Sequence, residues 1–430
     1  MNHTYHVETK CVHSGWNPEN GEARQIPIYQ STTFKYNSTD EMGKLFDLES
    51  NGYFYTRLQN PTNDAVASRI ADLEGGVAAM LTSSGQAAIL FAILNICEAG
   101  DHMICASEIY GGTLNLAGVT LKKFGINCTF LSVDCTDEEL LAAFRPNTKL
   151  VFGESVSNPA LAVLDIERFA HIAHEHGVPL IVDNTFATPI NCQPFKWGAD
   201  IVVHSTTKYM DGHATQVGGC IVDSGNFDWE AHSEKFPGLT TPDLSYHGII
   251  YTKKFGKLAY ITKATSQLMR DLGATPSPFN TFLLGMSLES LPLRIERHCS
   301  NALAIANFLQ NHDKVSYVNY PGLSGNKYYE RAKKYMPKGT CGVISAELKG
   351  GREAAVQFLD HLQLASIATH VADAKTCVLH PASHTHRQLT DEQLVSAGIS
   401  PGLVRLSIGI EHVDDLIADM EQALSYVTLI

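Results

Sequence analysis

The chain has 430 residues, 44% of them hydrophobic, and is too long for one ordinary hydrophobic core, so we expect two substantial domains. Its net charge of −13, with no block of basic residues, argues against nucleic-acid binding. The longest apolar stretch, 87–97, is shorter than the roughly 20 residues of a membrane helix, and the first residues lack a secretory signal, so we expect a cytoplasmic protein.

The first predicted segment, residues 1–58, is polar and aromatic, and only 41–48 has a helical pattern. A segment with so little core of its own is expected to pack across the main domain or on another subunit. It ends in Tyr53-Phe54-Tyr55-Thr56-Arg57, just before the helix-start signal Asn60-Pro61. An exposed arginine such as Arg57 is usually an ordinary surface residue, and it suggests a functional role only if the protein has to bind an anion.

Residues 59–285 alternate apolar strand candidates with helical patterns such as 86–97 and 166–176. This rhythm predicts an α/β domain with a mostly parallel sheet covered by helices on both faces. The seven strand candidates are 78–81, 102–105, 128–133, 150–153, 180–182, 201–203 and 219–222.

Residues 286–430 are predicted to form a smaller α+β domain. A long helical pattern over 283–309 is interrupted by Pro292, and strands are expected near 316–318, 342–346 and 403–408. The last helix carries Val413, Leu416, Ile417, Met420 and Leu424 on one apolar face.

Lys208 follows the buried strand 201–203 within Ser205-Thr206-Thr207-Lys208-Tyr209. In open α/β sheets, ligands bind at the carboxyl ends of the strands. Taken alone, the residue is most simply a surface lysine on a loop. A functional lysine would be partly desolvated, so that its neutral amine forms a Schiff base with a carbonyl cofactor. Pyridoxal phosphate (PLP) would also demand phosphate donors and an acid facing its pyridine nitrogen.

Other strand ends offer such groups at the same predicted edge. Ser84-Gly85-Gln86 opens a helix and exposes backbone N–H groups suited to a phosphate, although Ser and Gly also simply cap helices. Asp183 ends a buried strand, where a carboxylate is costly without a cation or several donors, but it could also cap a helix. Asn158 and Tyr110 follow two further strands, and Tyr110 could lie flat against a planar ring or be a half-buried rim residue.

These motifs, in this order, resemble the Cys/Met-metabolism PLP enzymes, which include cystathionine synthases and lyases, methionine γ-lyase and O-acetylhomoserine sulfhydrylase. The resemblance covers nearly the whole chain and implies PLP-dependent transferase fold type I, the aspartate aminotransferase-like fold. It rests on Ser84-Gly85, Tyr110-Gly111, Asn158-Pro159, Asp183-Asn184-Thr185 and Ser205-Thr206-Thr207-Lys208-Tyr209. Ala214, where the family has Gly or another small polar residue, puts nothing catalytic in doubt.

The resemblance also implies the role of each site residue. Lys208 would anchor PLP and shuttle protons, Asp183 would pair with the pyridine nitrogen, and Tyr110 would stack on the ring. Asn158 would hydrogen-bond the phenolic oxygen. The phosphate would be held by Ser84, Gly85, Gln86, Ser205 and Thr207, and, from a neighbouring subunit, by Tyr55 and Arg57. The active site would therefore exist only in an oligomer, expected to be a homotetramer of dimers with shared sites.

Arg405 interrupts the apolar strand 403–408, and a buried arginine needs an anion. From the residues alone a salt bridge with Glu411 would be its use. The resemblance instead assigns Arg405 to the substrate α-carboxylate, with Tyr55 also at the substrate.

One histidine cluster invites a metal interpretation that we do not adopt, and the cysteines are dispersed along the chain. His380, His384 and His386 fall within seven residues but lack a convincing acidic or Cys partner, and the family has a similar segment lining its substrate pocket, so no metal is expected. The ten cysteines contain no Cys-x-x-Cys pair and are most simply small buried hydrophobes in a reducing compartment.

Within the family, the chain resembles the O-acetylhomoserine sulfhydrylase branch. The stretches 222–229 and 236–248 resemble an insertion of that branch, 373–376 and 404–411 are also similar, and Gly112 stands where methionine γ-lyases carry a cysteine. His370-Val371-Ala372 replaces the usual Asn-Val-Gly of the branch, which leaves the acyl preference open. The implied reaction is γ-replacement on O-acetylhomoserine, an amino-acid ester, by sulfide or a thiol in methionine biosynthesis.

Several alternatives stay open at this stage. A methionine γ-lyase or a cystathionine γ-synthase or lyase is the second interpretation. A nucleotide-binding protein using Ser83-Ser84-Gly85 lacks the expected Gly-rich loops and leaves Lys208 unexplained. A noncatalytic scaffold is disfavoured by the full set of site residues.

Overall fold

A computed structural model describes residues 4–384, 390 and 400–428 of the chain. The backbone divides into two compact units. The first comprises Met1–Ser155, Leu164–Asp211 and Thr215–Ser290, and the second comprises Val156–Val163, Gly212–Ala214 and Leu291–Ile430. The division into an arm and two domains at residues 58 and 285 stays a prediction.

The first unit is built on a seven-stranded sheet with the order β1-β7-β6-β5-β4-β2-β3. Strand β7 is antiparallel to both of its neighbours, and the remaining pairs are parallel, which confirms the mostly parallel sheet. The strands are β1 (Ala78–Thr82), β2 (His102–Ala106), β3 (Asn127–Leu131), β4 (Thr148–Glu154), β5 (Leu180–Asp183), β6 (Ile201–His204) and β7 (Gly219–Asp223).

The central strands are continuous apolar runs because helices cover both faces of the sheet. Every residue of β5, β6 and β7 is buried. Asp183 and His204 are the last residues of β5 and β6, so these polar side chains are buried at the carboxyl edge. A buried polar group there requires partners, and these define the site described below.

Helices and short turns connect these strands. The α-helices of the first unit are α1 (Val7–His13), α2 (Thr39–Phe46), α3 (Pro61–Glu74), α4 (Gly85–Leu94), α5 (Gly111–Asn115), α6 (Asp137–Ala143), α7 (Ile166–Glu175), α8 (Thr188–Asn191), α9 (Pro237–Thr240), α10 (Tyr251–Phe255), α11 (Ala259–Lys263), α12 (Arg270–Leu272) and α13 (Pro278–Glu289). Leu116–Thr120 and Ala264–Met269 are π-helical, and Leu121–Phe124, Pro194–Trp197, Leu244–Tyr246 and Gly256–Leu258 are 3₁₀ turns.

Local chemistry explains where α3 begins and ends. Asn60 accepts a hydrogen bond from Thr62 N at the start, and Pro61 occupies the first helical position, where its missing N–H costs nothing. Gly75 ends the helix with a φ of 79°, a left-handed conformation that favours glycine. Glu74, the last residue of the helix, is thereby directed into the core.

The second unit contains a five-stranded sheet with the order β10-β11-β12-β9-β8. Its strands are β8 (Val315–Asn319), β9 (Val343–Leu348), β10 (Ser366–Ile367), β11 (Cys377–Leu379) and β12 (Leu403–Ser407), and all pairs except β10–β11 are antiparallel. Its helices are α14 (Leu291–Gln310), α15 (Tyr329–Tyr335), α16 (Gly351–Asp360) and α17 (Val413–Ser425).

The core of this unit lies between the sheet and the helices. Leu416, Met420 and Leu424 of α17 are buried in it, as the predicted apolar face requires, together with Phe358 of α16. The pattern predicted over 283–309 divides into α13 and α14 at Ser290, and Pro292 is in the first turn of α14. In the described part of the chain, no helix is both long enough and apolar enough to cross a membrane.

Candidate active site

Lys208 lies just beyond the carboxyl end of β6, on a turn. Its backbone N–H donates to the Ser205 carbonyl at 3.2 Å, and its side chain is half-buried between the buried strand and the surface. The strand is completely buried, so the lysine is carried by a rigid element but retains access to solvent. This is the position that the sequence predicts.

The N-terminus of α4 packs against the loop that follows β6. A Cβ atom on Gly85 would lie 2.6 Å from Ser205 Cβ and 2.8 Å from Ser205 Cα, so only glycine permits this approach. Ser84 caps the helix by accepting from Ala87 N at 3.1 Å. The result is a ten-residue helix whose first N–H groups lie beside the Ser205 hydroxyl, a donor set that fits a phosphate.

Thr207 fixes the same loop to the start of β7. Its hydroxyl donates to the Gly218 carbonyl at 3.2 Å and accepts from Gly218 N at 3.0 Å. The hydroxyl is therefore engaged with the backbone, and its contribution to the geometry is to hold the loop between Ser205 and Lys208 in place.

Asp183 is buried at the end of β5 and has two donors on one oxygen. The backbone N–H of Thr185 donates to Oδ1 at 3.0 Å, and the Thr185 hydroxyl donates to the same atom. Burial raises the pKa of the Asp183 carboxyl, against the lowering effect of the Thr185 hydrogen bonds and of positive charge on His204. Among the described residues, Thr185 supplies the hydrogen bonds to Oδ1, and a protonated pyridine nitrogen has the charge and the N–H to serve as a further donor to this carboxylate.

Tyr110 forms a platform beside α4. Its backbone N–H donates to Glu154 Oε1 at 2.7 Å, and 48% of the residue is exposed. A Cβ atom on Gly112 would lie 2.5 Å from Tyr110 Cε1 and 2.6 Å from Gln86 Nε2. The tyrosine ring and the Gln86 amide therefore meet over Gly112, and a half-exposed tyrosine suits stacking on a planar group.

Tyr55 and Arg57 lie in a different place from the group around Lys208. The Arg57 guanidinium is 5.0 Å from the centre of the Tyr55 ring, and both residues are exposed. They line a cavity of about 550 Å³ together with Arg270 and the turn 245–247. Within the described residues, the cavity lining includes none of the other predicted cofactor residues, which are Ser84, Gly85, Gln86, Tyr110, Asn158, Asp183, Ser205, Thr207 and Lys208.

Asn158 and Arg405 belong to the second unit and contact each other. Arg405 is buried in β12, where Nη1 donates to Asn158 Oδ1 at 3.5 Å and Nη2 donates to the carbonyl oxygens of Thr369 at 3.1 Å and His370 at 3.4 Å. These three acceptors are neutral amide oxygens. The Glu411 carboxylate accepts from Thr376 N and Thr376 Oγ1.

The histidine cluster is only partly within the described residues. His380 Nε2 is 2.8 Å from the Pro401 carbonyl oxygen, and His384 Nδ1 accepts from His380 N at 3.2 Å. His386 lies outside the described residues. Across 4–384, 390 and 400–428, no three His, Cys, Asp or Glu side chains come together in a way that could hold a metal ion.

The sequence did not indicate Glu74 as a site residue. In the structure, Glu74 contacts Asn184, the residue that follows Asp183. Glu74 Oε1 is 2.5 Å from His204 Nε2 and accepts from Asn184 Nδ2 at 2.9 Å, and all three residues are buried. One signal was present in the sequence: an acidic residue in the last turn of a helix opposes the helix dipole, so it needs another reason to be there.

The chain matches a known family over almost its whole length. Residues 8–425 match the family described as Cys/Met metabolism PLP-dependent enzyme. The chain is 46% identical to O-acetyl-L-homoserine sulfhydrylase from Leptospira meyeri over 438 residues, covering 99% of this chain and 98% of the relative. It is also 46% identical to homocysteine synthase from Schizosaccharomyces pombe over 421 residues, covering 97% of this chain and 98% of that protein.

Solved structures agree with this match. A putative O-acetylhomoserine (thiol)-lyase from Campylobacter jejuni is 39% identical with a TM-score of 0.93, covers 98% of this chain and 100% of its own, and carries N'-pyridoxyl-lysine-5'-monophosphate at its position 205. The structure of metB from Corynebacterium glutamicum is 35% identical with a TM-score of 0.84 and covers 99% of both chains.

Proposed function

We infer that this chain, which belongs to the Cys/Met-metabolism PLP-dependent enzymes and has their type I fold, catalyses γ-replacement on O-acetyl-L-homoserine. The Cγ–O bond to acetate breaks and a Cγ–S bond to sulfide, or to a thiol, forms. The products are L-homocysteine, or methionine when the thiol is methanethiol, and acetate, so the enzyme serves methionine biosynthesis. The observation that carries this inference is the 46% identity, over almost the full length of both chains, to an O-acetyl-L-homoserine sulfhydrylase.

PLP is the cofactor, and the residues of the first unit fit it. The N-terminus of α4, with Ser84, Gly85 and Gln86, provides N–H donors for the phosphate beside the Ser205 hydroxyl, and Thr207 keeps that loop in place. Tyr110 provides a flat surface for the ring. When bound, PLP supplies an electron sink that stabilises negative charge at the substrate Cα.

Proton transfer falls to Lys208. Its amine is half-buried at the end of a rigid strand, a position from which one group takes a proton at Cα and handles protons at the neighbouring carbon. Asp183 supports this chemistry because a carboxylate at the pyridine nitrogen keeps that nitrogen protonated. The acetate group needs no stronger acid, since a carboxylate is a good leaving group.

Substrate binding is assigned to the second unit and to the arm. Arg405 binds the substrate α-carboxylate, and Asn158, which accepts from the same guanidinium, binds the phenolic oxygen of the cofactor. Tyr55 and Arg57 complete the phosphate and substrate contacts of a neighbouring subunit in a homotetramer of dimers. Their exposure on a cavity wall is what such a role requires.

The proposed location is the cytoplasm. None of the ten cysteines, all of which the structure describes, forms a disulfide, and nine of them are buried, which suits a reducing compartment. The partners are small molecules: an amino-acid ester and sulfide or a thiol.

Product stoichiometry tests the reaction. With O-acetyl-L-homoserine and sulfide, we expect one acetate to be released for each homocysteine formed, with acetate release dependent on sulfide. Release of acetate at the same rate without sulfide would contradict replacement chemistry.

Peptide mapping tests the lysine assignment. Borohydride treatment of the PLP-loaded enzyme should add the pyridoxyl mass to the peptide that contains Lys208. The visible absorbance band should be lost in Lys208→Ala. A label on another lysine would contradict the assignment.

A further inference from the structure

A buried carboxylate joins the two strand ends that carry the cofactor residues. Glu74 is 1% exposed, and its Oε1 contacts His204 Nε2 at 2.5 Å and Asn184 Nδ2 at 2.9 Å. Asn184 directly follows Asp183 at the end of β5, and His204 directly precedes Ser205 at the end of β6. One oxygen atom from α3 therefore fixes both strand ends from behind.

A second link joins the same two strand ends on the cofactor side. Ser205 N donates to Thr185 Oγ1 at 2.8 Å, and the Thr185 hydroxyl donates to Asp183 Oδ1. Asn184 N also donates to the Val203 carbonyl at 3.0 Å. Because both links use adjacent residues, a displacement of His204 or Asn184 would be passed directly to Asp183 and Ser205.

Burying this carboxylate is costly, and its surroundings compensate for only part of that cost. Within the part of the chain that the structure describes, Glu74 Oε2, His204 Nδ1 and Asn184 Oδ1 are buried without a hydrogen-bond partner. The other neighbouring contacts are the Cys192 carbonyl, which accepts from Asn184 Nδ2 at 2.9 Å, and the Cys192 and Cys220 thiols, whose pKa values are raised by burial and, less strongly, by Glu74. A purely structural contact would gain more stability from an apolar side chain, so the acid calls for another explanation.

We propose that Glu74 is a positioning residue for the PLP site: through His204 and Asn184 it holds the ends of β5 and β6 in the arrangement that presents Asp183, Ser205 and Lys208. The inference rests on the PLP roles proposed for these three residues. Burial raises the pKa of the Asp183 carboxyl, and a positive charge on His204 acts against that rise.

The test measures PLP binding to the apoprotein, which does not depend on the identity of the substrate. Glu74→Gln keeps the shape and one oxygen but loses the charge that strengthens the contact with His204. We expect the dissociation constant for PLP to rise about tenfold. The visible circular dichroism of bound PLP should also change. His204→Gln should have a similar effect.

The double variant Glu74→Gln/His204→Gln tests whether Glu74 acts through His204. The effects of substitutions within one contact network do not add. We therefore expect the PLP dissociation constant of the double variant to lie within about twofold of that of the weaker-binding single variant. Fully additive losses would overturn the proposal. If these variants fold poorly, Asn184→Ala removes one donor and leaves the pair of Glu74 and His204 intact, and it should still weaken PLP binding.

Gln193→Met is the matched control. Gln193 Nε2 donates to the Leu73 carbonyl at 2.6 Å, so its side chain holds the same end of α3 through the helix backbone and not through the Glu74 carboxylate. This variant should lower the unfolding temperature of the apoprotein but leave the PLP dissociation constant within about twofold. Equal losses of PLP affinity in Gln193→Met and Glu74→Gln, or no loss in Glu74→Gln, would show that Glu74 is only structural. Failure of the proposed reaction would instead appear as normal PLP binding without sulfide-dependent turnover.

Discussion

At the scale of single residues, Gly112 sets the space available to the Tyr110 platform. Neither composition nor periodicity predicts this, because the crowding comes from the ring two residues earlier and from the Gln86 side chain on another helix. The sequence predicts Tyr110 and Gln86 as site residues, and the structure places them side by side. It could not show that the residue between them has to lack a side chain.

Gly112→Ala should therefore reduce catalysis more than stability. The added Cβ has to displace the Tyr110 ring or the Gln86 amide, and small displacements of positioning groups are costly to rate. We expect kcat/KM to fall about tenfold or more, with little change in Tm because the ring is half-exposed. Gly111→Ala is the control, since no atom lies within 4 Å of its Cβ position, and it should retain normal activity.

Glu74 is a second residue that the sequence does not reveal. It is separated by 110 residues from Asn184 and by 130 from His204, so only the folded chain brings the three together. A glutamate on a helix is normally read as a solvated residue. The conflict with the helix dipole was the one local indication that it is not.

At the scale of elements, the seven predicted strands of the large sheet are all present in the structure, because each contains consecutive apolar residues. The pattern missed β10 and β11, which have two and three residues and are too short to show a period. It also missed α1, and it ran the predicted helix 86–97 past Leu94, where α4 ends. The formation and the ends of such short or terminal elements depend on tertiary contacts, which the local sequence pattern does not contain.

Gly85→Ala tests the close packing of α4 on the loop after β6. The added Cβ would lie 2.6 Å from Ser205 Cβ, so the helix has to move away from the loop that carries Lys208. We expect weaker PLP binding by about tenfold, measured by titration of the apoprotein. Gly43→Ala, in α2 with no atom within 4 Å of its Cβ position, should bind PLP normally.

The end of β7 predicts a pH dependence of stability. Burial raises the pKa of the Asp223 carboxyl to about 7, against the hydrogen bond from Gly225 N. Between the unfolded pKa and about 7, the folded chain keeps a proton that the unfolded chain has lost. This group therefore stabilises the fold at low pH and loses that contribution as pH rises through about 7.

Denaturant unfolding of the apoprotein at pH 5 and pH 8 measures this effect. The side chain introduced by Asp223→Asn resembles the protonated carboxyl but cannot titrate. In this variant, the free energy of unfolding should therefore fall by roughly 2 kcal/mol less between pH 5 and pH 8 than it does in the parent chain. An identical pH dependence in the parent chain and the variant would contradict the buried-acid explanation.

At the scale of the whole molecule, the sequence identified the family and the reaction class because the motifs at successive strand ends occur in a specific order. The assignment of Tyr55 and Arg57 to a neighbouring subunit rests on the resemblance, and in this chain both residues are exposed on a cavity wall.

Subunit complementation tests this assignment. Lys208→Ala and Arg57→Ala should each be nearly inactive, but mixed dimers contain one site with both native residues if Arg57 serves the neighbouring subunit. Unfolding and refolding an equal mixture should restore about a quarter of native activity. A mixture of Lys208→Ala with Asp183→Ala, two changes in the same site, should remain inactive. Absence of recovery in the first mixture would place Arg57 in its own subunit's site.

The most direct test of the central claim compares two reactions of the same purified enzyme. One assay measures homocysteine formed from O-acetyl-L-homoserine and sulfide, and the other measures 2-oxobutyrate released from methionine. If the enzyme is a γ-replacement catalyst, homocysteine formation should exceed 2-oxobutyrate release by at least about 100-fold in kcat/KM, and Lys208→Ala should abolish it. Faster release of 2-oxobutyrate from methionine would identify a γ-lyase and contradict the assigned reaction.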